Sequence, residues 1–363
     1  MTAPFPLVDV SGSPRERGVM HGSQARERIL VGIGHYVAQL KTLDLDADGL
    51  RAAVEAFLPV VEAFDPAYVE EMRGIAEGAE VPFEHIVLLN ARTEVLKLAE
   101  RRQAASADPD GCTALVVLPQ ASADGSLIHA QNWDWKRDCL ESSIVLRIRR
   151  DDGPDILTFT EAGALARTGF NAAGIAITGN YLESDRDYTQ SGVPVALIRR
   201  KALETEHPAL AMRTVYVTPK SASSNMIVSH ASGIAINFEC APDETFQVHA
   251  RDGVIVHANH WISEAALAKL RDKGVANMPD TLYRDMRVRE LLPTGPGSIT
   301  TDHVKQALFD DRFTPWSVCR PPRPNVVGVM TATVAMFVMQ PGLNIFDIAP
   351  LPAHNREFTR YAL

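Results

Sequence analysis

The chain changes character at one dipeptide. Up to about residue 98 its apolar residues recur at helical spacing, whereas Gly111-Cys112-Thr113 runs directly into Ala114-Leu115-Val116-Val117-Leu118, an apolar, partly β-branched stretch that reads as a buried strand. Between the two textures lies a polar segment, Arg101 to Gly111, rich in Ala, Ser, Asp and Pro. The plain reading of a cysteine at the mouth of a strand is a small core residue, because Cys is among the most buried residue types. The second reading is chemical. Glycine permits backbone geometry that a Cβ forbids, so the Cys112 sulfur is placed to attack the Gly111 carbonyl, move the acyl group from nitrogen to sulfur and lose it to water. Cys112 would then begin a new chain. It would carry both a thiol, ordinarily titrating near ~8.5, and an α-amine titrating near ~7.7–8.0, a suitable general base for it.

The rest of the chain limits what such a residue can serve. At 363 residues and 46% apolar content it can bury a substantial core, as one large domain or two ordinary ones. A formal charge of −9, with no basic run longer than Arg199-Arg200-Lys201, argues against nucleic-acid and anionic-membrane partners. The four cysteines, Cys112, Cys139, Cys240 and Cys319, are widely spaced and form no CxxC pair, which points to a reducing compartment. The amino terminus has no secretory pattern, and the apolar stretch Met330 to Met339 is too short to span a bilayer, so a cytoplasmic location is expected.

Taken in order, residues 1–11 read as extended. Ser13-Pro14 reads as a cap and first turn, followed by Ala25, Ile29, Ile33, Tyr36, Val37 and Leu40 on one helical stripe. Gly18 and Gly22 near its start suggest close helix packing, since glycine is costly in a helix interior, and His21 reads as a packed histidine. Further helices are predicted over Asp48–Phe64, from Pro66 to Gly74 or Gly78, and over Pro82–Leu98. After Cys112 come strand-like runs at Ala114–Leu118, Ser126–Ala130, Ile144–Ile148, Ile156–Thr160, Gly174–Thr178, Met226–Ser229, Ile234–Phe238, Phe246–His249 and Val254–Ala258, joined by tight turns that imply antiparallel hairpins. Helices near Pro194–Glu204, Pro208–Val215, Glu264–Lys273, Asp280–Leu292 and Thr301–Leu308 interrupt the series, and strands at Met330–Met339 and Leu343–Ile348 close it. Helices, then many antiparallel strands, then helices again favour an α+β sandwich with helices outside two sheets.

Several polar residues fall where such a sandwich would use them. A hairpin turning at Asp124-Gly125 returns Gln131-Asn132-Trp133-Asp134-Trp135 beside the strand that Cys112 opens. Asp134 could there hold an α-ammonium or orient the thiol, with Trp133 and Trp135 excluding water; the alternative is an Asp capping a turn. Asn180, at the end of the strand after Gly174, and Asn259, in His257-Ala-Asn-His260-Trp261, are candidate donors to an oxyanion, though each also suits a turn. Arg167 is a candidate for an acidic substrate group or a surface residue. His257 and His260 sit where a strand ends, with no HExxH or carboxylate cluster beside them, so no metal is expected. No nucleophile elbow, P-loop or dinucleotide fingerprint occurs.

Taken in this order, Asp110-Gly-Cys-Thr113, Gln131-Asn-Trp-Asp-Trp135, Arg167-Thr-Gly-Phe-Asn171 with Gly174 and Asn180, and His257-Ala-Asn-His-Trp261 resemble the acyl-coenzyme A:6-aminopenicillanic acid acyltransferase family of N-terminal-nucleophile hydrolases. The Arg17-Gly18…His21-Gly22 helix is also similar, so the resemblance spans nearly the whole chain. It implies an αββα sandwich made as a precursor that cuts itself between Gly111 and Cys112, giving a helical piece, 1–111, and a piece, 112–363, that stay together as a heterodimer. It further implies Cys112 as nucleophile and, through its amine, base; Asp134 as the group orienting that amine; Asn259 as an oxyanion-hole side chain; and Asn180 as a backbone or side-chain donor. Gln131, Trp133, Trp135, Arg167 and His260 fall to substrate binding. Related bile-salt and penicillin V amidases carry an arginine where this chain has Gln131, which weakens any anion-binding role there. The carboxyl terminus, Tyr361-Ala-Leu363, is a poor match to the peroxisomal tripeptide of the fungal members, so a penicillin pathway is not implied. The implied activity is hydrolysis or acyl transfer on a small linear amide through a thioester, with no cofactor, acyl-CoA being admitted as co-substrate, and with higher oligomers left open. Two rivals stand beside it: a papain-like hydrolase pairing Cys112 with His257 or His260 without any cut, and a non-catalytic binding relative.

Overall fold

The strands Thr113–Val117 and Ile156–Glu161 are buried at every position, so both faces of each sheet are covered there. A computed structural model describes residues 3–96, 111–325 and 328–363. The polar stretch 101–110 and the predicted end of the fourth helix at Leu98 lie outside the described residues. One sheet runs in the order β1 (Leu7–Val10), β4 (Ser143–Ile148), β5 (Ile156–Glu161), β6 (Thr168–Asn171), β7 (Ile175–Tyr181), β8 (Ser224–His230), β9 (Ile234–Cys240), β10 (Thr245–Val248). The other runs β11 (Val254–His257), β2 (Thr113–Val117), β3 (Ile128–Lys136), β13 (Met330–Gln340), β14 (Ile345–Pro350), β15 (Thr359–Tyr361), with the short β12 (Arg323–Pro324) beside β13. All described pairings are antiparallel except β1 with β4, where Leu7 lies opposite Val145.

Val145, Leu157, Phe159 and Phe170 of the first sheet meet Trp133, Phe337, Met339 and Phe346 of the second, and Cys112 belongs to this inner cluster. The neighbouring residues Ile144, Leu146 and Ile156 face outward onto the amino-terminal helices, while Leu115, Val117, Ile128 and Ala130 face outward onto the Asp280–Leu291 and Thr301–Leu308 helices. The order is helices, sheet, sheet, helices, the αββα sandwich expected. Three differences from the sequence reading have local causes. The first helix is two, α1 (Pro14–Gln24) and α2 (Arg26–Thr42), broken at Ala25. β3 runs to Lys136, so the Gln131–Trp135 motif lies within a strand rather than beyond one. The predicted helix at Glu264–Lys273 is one turn, Glu264–Leu267.

The break at Ala25 lets α1 lie against α4 (Pro66–Ala79), which follows α3 (Ala47–Phe64). Gly18 and Gly22 face Gly74 and Gly78: a Cβ at Gly18 would sit 2.1 Å from the Glu71 carbonyl oxygen, and one at Gly74 2.3 Å from that of Arg15. The two backbones touch, as the glycine spacing suggested. Fully buried His21 accepts a hydrogen bond at Nε2 from the Gly163 N–H (3.0 Å), and His129 lies between Thr178 and Ser229 hydroxyls. Burial lowers these imidazoles to about 4 and about 3 respectively. An unfolded histidine takes its proton near ~6.5, so between that pH and the folded values the unfolded chain binds more protons. Stability is therefore expected to fall as pH drops from 6.5, with His21 alone costing ~3 kcal/mol by pH 4; burial-raised Glu94 and Asp134 act in the opposite sense. Urea midpoints between pH 7 and 4.5 check this, with a shallower decline expected in His129→Gln; a midpoint as steep in that variant as in the parent would remove the histidine account.

Candidate active site

The β2–β3 register fixes the site. Thr113 lies opposite Asn132, so Asp134 reaches past the start of β2 to the level of Cys112, as the Asp124-Gly125 hairpin predicted. The pleat then separates functions. Gln131 and Trp133 face the inner layer, Asn132 donates outward to the Leu308 and Val318 carbonyls, and Asp134 shares that outward side. The Cys112 side chain joins the inner cluster while its backbone meets polar groups from the second sheet's outer helices.

The Cys112 N–H donates to Asn259 Oδ1 at 2.8 Å, and the same oxygen accepts from Arg284 Nη2 at 2.9 Å. Arg284 Nη1 donates to the Cys112 carbonyl (2.6 Å) and to Thr113 Oγ1 (2.8 Å), and its Nε to Asp280 Oδ2 (2.9 Å). Arg320 pairs with Asp280 and lies 3.3 Å from Asp134 Oδ2, while Asp134 Oδ1 accepts from Thr333 Oγ1 at 2.7 Å. A Cβ on Gly111 would fall 2.5 Å from Arg284 Nη2 and 2.9 Å from Arg320 Nη2, so glycine is the residue that fits under these guanidiniums. Burial, reinforced by the Asp134 charge, pushes the Cys112 thiol up to about 11, with the Arg167 guanidinium working against it. Burial likewise raises the Asp134 carboxyl, opposed by Arg320 and Arg284. In the uncut chain the sulfur is therefore a protonated thiol at neutral pH, and its attack needs a base.

Other predicted residues take different places. Asn259 faces Cys112 with its oxygen, its nitrogen donating to the Tyr181 carbonyl (2.9 Å), so it is an acceptor for the Cys112 nitrogen rather than the side-chain oxyanion donor expected. Asn180 Nδ2 donates to the carbonyls of His257 and Ala258, both at 2.9 Å, and its oxygen accepts from Gln131; its side chain holds the strand end that carries Asn259 instead of offering a donor. Gln131, expected at the substrate, has its side-chain amide engaged within the fold. Its amide nitrogen bonds Gly179 O and Asn180 Oδ1, and its oxygen accepts from Thr168, tying the two sheets together. Trp135 bonds the Tyr36 hydroxyl and lies under Arg92, whereas Trp133 stacks beneath Arg167, 4.3 Å from its guanidinium carbon. His257 bonds Glu239 Oε1 at 2.8 Å and the Ala258 carbonyl, and His260 bonds Thr281 at 3.0 Å. Both His257 nitrogens are engaged, so of the two histidines considered for a papain-like pair His257 is occupied elsewhere; among the described residues no cluster of metal-ligating side chains occurs.

Arg284, Arg320 and Asp280 escaped sequence reasoning. Their one local signal is the i,i+4 spacing of Asp280 and Arg284 on a predicted helix, which normally marks a solvated pair. A cleft of about 800 Å³ lies elsewhere, along the open edge of β11 between Arg251 and Arg289, and none of the residues around Cys112 lines it.

The profile of the family described as acyl-coenzyme A:6-aminopenicillanic acid acyl-transferase matches residues 121–328. The acyl-coenzyme A:6-aminopenicillanic-acid-acyltransferase 40 kDa form of Emericella nidulans is 31% identical over 317 residues, covering 86% of this chain and 84% of its own. Among solved structures, a conjugated bile acid hydrolase from Clostridium perfringens aligns with a TM-score of 0.49 at 12% identity, covering 69% of this chain and 92% of its own. Penicillin V acylase from Agrobacterium tumefaciens aligns with a TM-score of 0.39 at 15% identity, covering 66% and 83%. With a profile match over more than half its length and a relative of this similarity across most of it, the chain belongs to the acyl-coenzyme A:6-aminopenicillanic acid acyltransferase family.

Proposed function

We propose that the protein is a self-processing amidohydrolase or acyltransferase whose nucleophile is the sulfur of an amino-terminal Cys112. The observation that carries this is the setting of the Gly111–Cys112 bond: buried, its nitrogen held by Asn259, its glycine packed under two guanidiniums, its sulfur in the field of the Asp134 charge. A core cysteine needs none of these groups.

In the first stage the thiol gives up its proton as sulfur bonds to the Gly111 carbonyl carbon. Arg284 and Arg320 supply the positive field at the developing oxyanion. The C–N bond breaks, the Cys112 nitrogen takes the proton, and water resolves the thioester to a Gly111 carboxylate and a free thiol. In the second stage the freed α-amine, still facing Asn259 Oδ1, removes the thiol proton as sulfur attacks a substrate amide and returns it to the leaving amine. Water or a second amine then resolves the acyl-enzyme, which gives hydrolysis or acyl transfer.

The α-nitrogen must stay aligned between sulfur and substrate, and a misplacement of about 1 Å is worth about 10²-fold in rate. Asn259→Ala is therefore expected to lower turnover by ~10² while cleavage proceeds in part. Amide turnover at the parent rate in this variant would end that role. The overall reading is tested by intact mass of the purified active protein: fragments 1–111 and 112–363 are expected to migrate together natively and to separate in denaturant. An active single chain would instead support a histidine-assisted thiol hydrolase.

A further inference from the structure

Asn259 lies in a loop, 258–263, between the end of β11 and the Glu264–Leu267 turn. One carboxylate closes this loop at both feet. Glu239, fully buried on β9, accepts at Oε1 from His257 Nε2 (2.8 Å) and from the Ile262 N–H (2.7 Å), and at Oε2 from the Ser263 N–H (3.1 Å). His257 Nδ1 donates in turn to the Ala258 carbonyl at 2.9 Å, which carries the grip of Glu239 to the residue before Asn259. A second pair of groups holds the loop from the Asp280–Leu291 helix. The Asn259 N–H donates to Thr281 Oγ1 at 2.7 Å, and that hydroxyl lies 3.0 Å from His260 Nδ1. Burial, with His257 adding to it, lowers His260 to about 4. At neutral pH its ring therefore accepts from the Thr281 hydroxyl, and the Thr281 oxygen accepts from Asn259.

A loop that only had to be stable would not be built this way. Burying a carboxylate and an imidazole costs free energy that their hydrogen bonds must offset, and apolar side chains of similar volume often stabilise as well or better. What a satisfied polar network adds is a single geometry, because each donor and acceptor must meet its own partner. The geometry fixed here is that of one amide. Asn259 Nδ2 is engaged with the Tyr181 carbonyl at 2.9 Å, so Oδ1 is the atom turned toward Cys112, 2.8 Å from the nitrogen that becomes the α-amine. The two imidazoles on either side of Asn259 lie nearly parallel, 18° apart in plane with ring centres 6.3 Å apart, which packs the two halves of the network against each other.

We propose that Glu239, through His257, and Thr281 are positioning residues that aim Asn259 Oδ1 at the α-amine of Cys112. Their role rests on the reading of Cys112 as nucleophile and is exerted wholly through Asn259. Glu239→Gln keeps the side-chain volume but not the acceptors. With its nitrogen at the Oε1 position the new amide meets the Ile262 N–H, and with its nitrogen at the Oε2 position it meets the Ser263 N–H. The loop is expected to shift, which lowers kcat about 10²-fold, the cost of about 1 Å of misalignment, and changes KM less than about twofold. Thr281→Val has nearly the same shape and removes the acceptor of the Asn259 N–H from the opposite side, leaving the buried carboxylate untouched. It is expected to lower kcat about tenfold, again with little change in KM.

A double-variant cycle separates positioning from general support of the fold. Asn259→Ala has already lost the atom being aimed, so adding Glu239→Gln or Thr281→Val to it is expected to lower kcat by less than about twofold more. Each kcat is referred to the cut fraction, read by intact mass, so that slower processing is not counted as slower turnover. Losses that multiply, to about 10⁴-fold for Glu239→Gln combined with Asn259→Ala, overturn the positioning role, because the residue then acts by a route other than Asn259. A parent kcat in both single variants overturns it as well. Should Glu239→Gln fail to fold, the cycle of Thr281→Val with Asn259→Ala gives the same decision. Failure of the nucleophile reads differently, as an uncut chain and no modification of Cys112 by thiol-directed amide analogues.

Discussion

Cys112→Ala is expected to yield one uncut chain of 363 residues with no measurable amide turnover. The substitution removes the nucleophile of both stages, and loss of a covalent nucleophile costs on the order of 10⁶ in rate, leaving only what binding and electrostatics provide. The fold should persist. Cys112 is a small member of a large inner cluster, and deleting one sulfur opens little space beside Trp133 and Phe159. Intact mass, circular dichroism and an amide assay check the three parts together. Processing in the alanine variant would place the cutting chemistry outside residue 112. Turnover in it would remove Cys112 from the mechanism altogether.

Cys112→Ser makes the same test graded. The hydroxyl holds its proton more tightly than the thiol, and the Asn259, Arg284 and Asp134 contacts stay in place. A chain that is cut slowly is the expected result, because the cradle acts on the Gly111 carbonyl whichever atom attacks it. This separates the nucleophile from its setting, which the alanine variant alone cannot do.

What the sequence disclosed and what it withheld follow from the range of the interactions. The meeting of Cys112 and Asp134 was legible because it needs only a tight turn at Asp124-Gly125 and a period of two. The four layers were legible for a similar reason: Ile144 and Val145 differ in face because they are neighbours. β6 escaped because Gly169 breaks its pattern, and that glycine is needed since a Cβ would stand 2.2 Å from the Leu157 carbonyl oxygen. β1 was read only as extended because its partner lies over a hundred residues away. The same distance hid Arg284, which reaches the Cys112 carbonyl across 172 residues. Gln131 and Asn180 carry types suited to binding, yet their hydrogen-bonding capacity is spent on each other and on neighbouring strands, which composition does not reveal.

Glu71→Ala is expected to lower stability by about 3–5 kcal/mol, the cost of removing one partner from a buried charge network. Glu71 lies on α4, 2% exposed, and receives Arg200 through both oxygens at 3.0 and 2.9 Å and Arg17 at 3.3 Å. Burial opposes its charge, but the two guanidiniums hold the carboxyl below its ordinary range. Arg200 is fully buried in the Val195–Leu203 helix and keeps its ion pair with Glu204 and its bond to the Leu165 carbonyl, but Glu71 is the one carboxylate it shares with Arg17. The alanine variant thus strands cations in a dry interface. That interface joins residues on opposite sides of the proposed cut, as do Arg92 with Glu161 and Asp65 with Lys201. Urea unfolding of Glu71→Ala in the Cys112→Ala background, where the chain stays covalent, isolates the packing cost from fragment release. In the parent background the same change should let the 1–111 piece dissociate once processing has occurred. A loss below about 1 kcal/mol would mean that water reaches Arg200 and that the apolar contacts of Tyr36, Ile75 and Leu88 hold the two pieces together without the charge network.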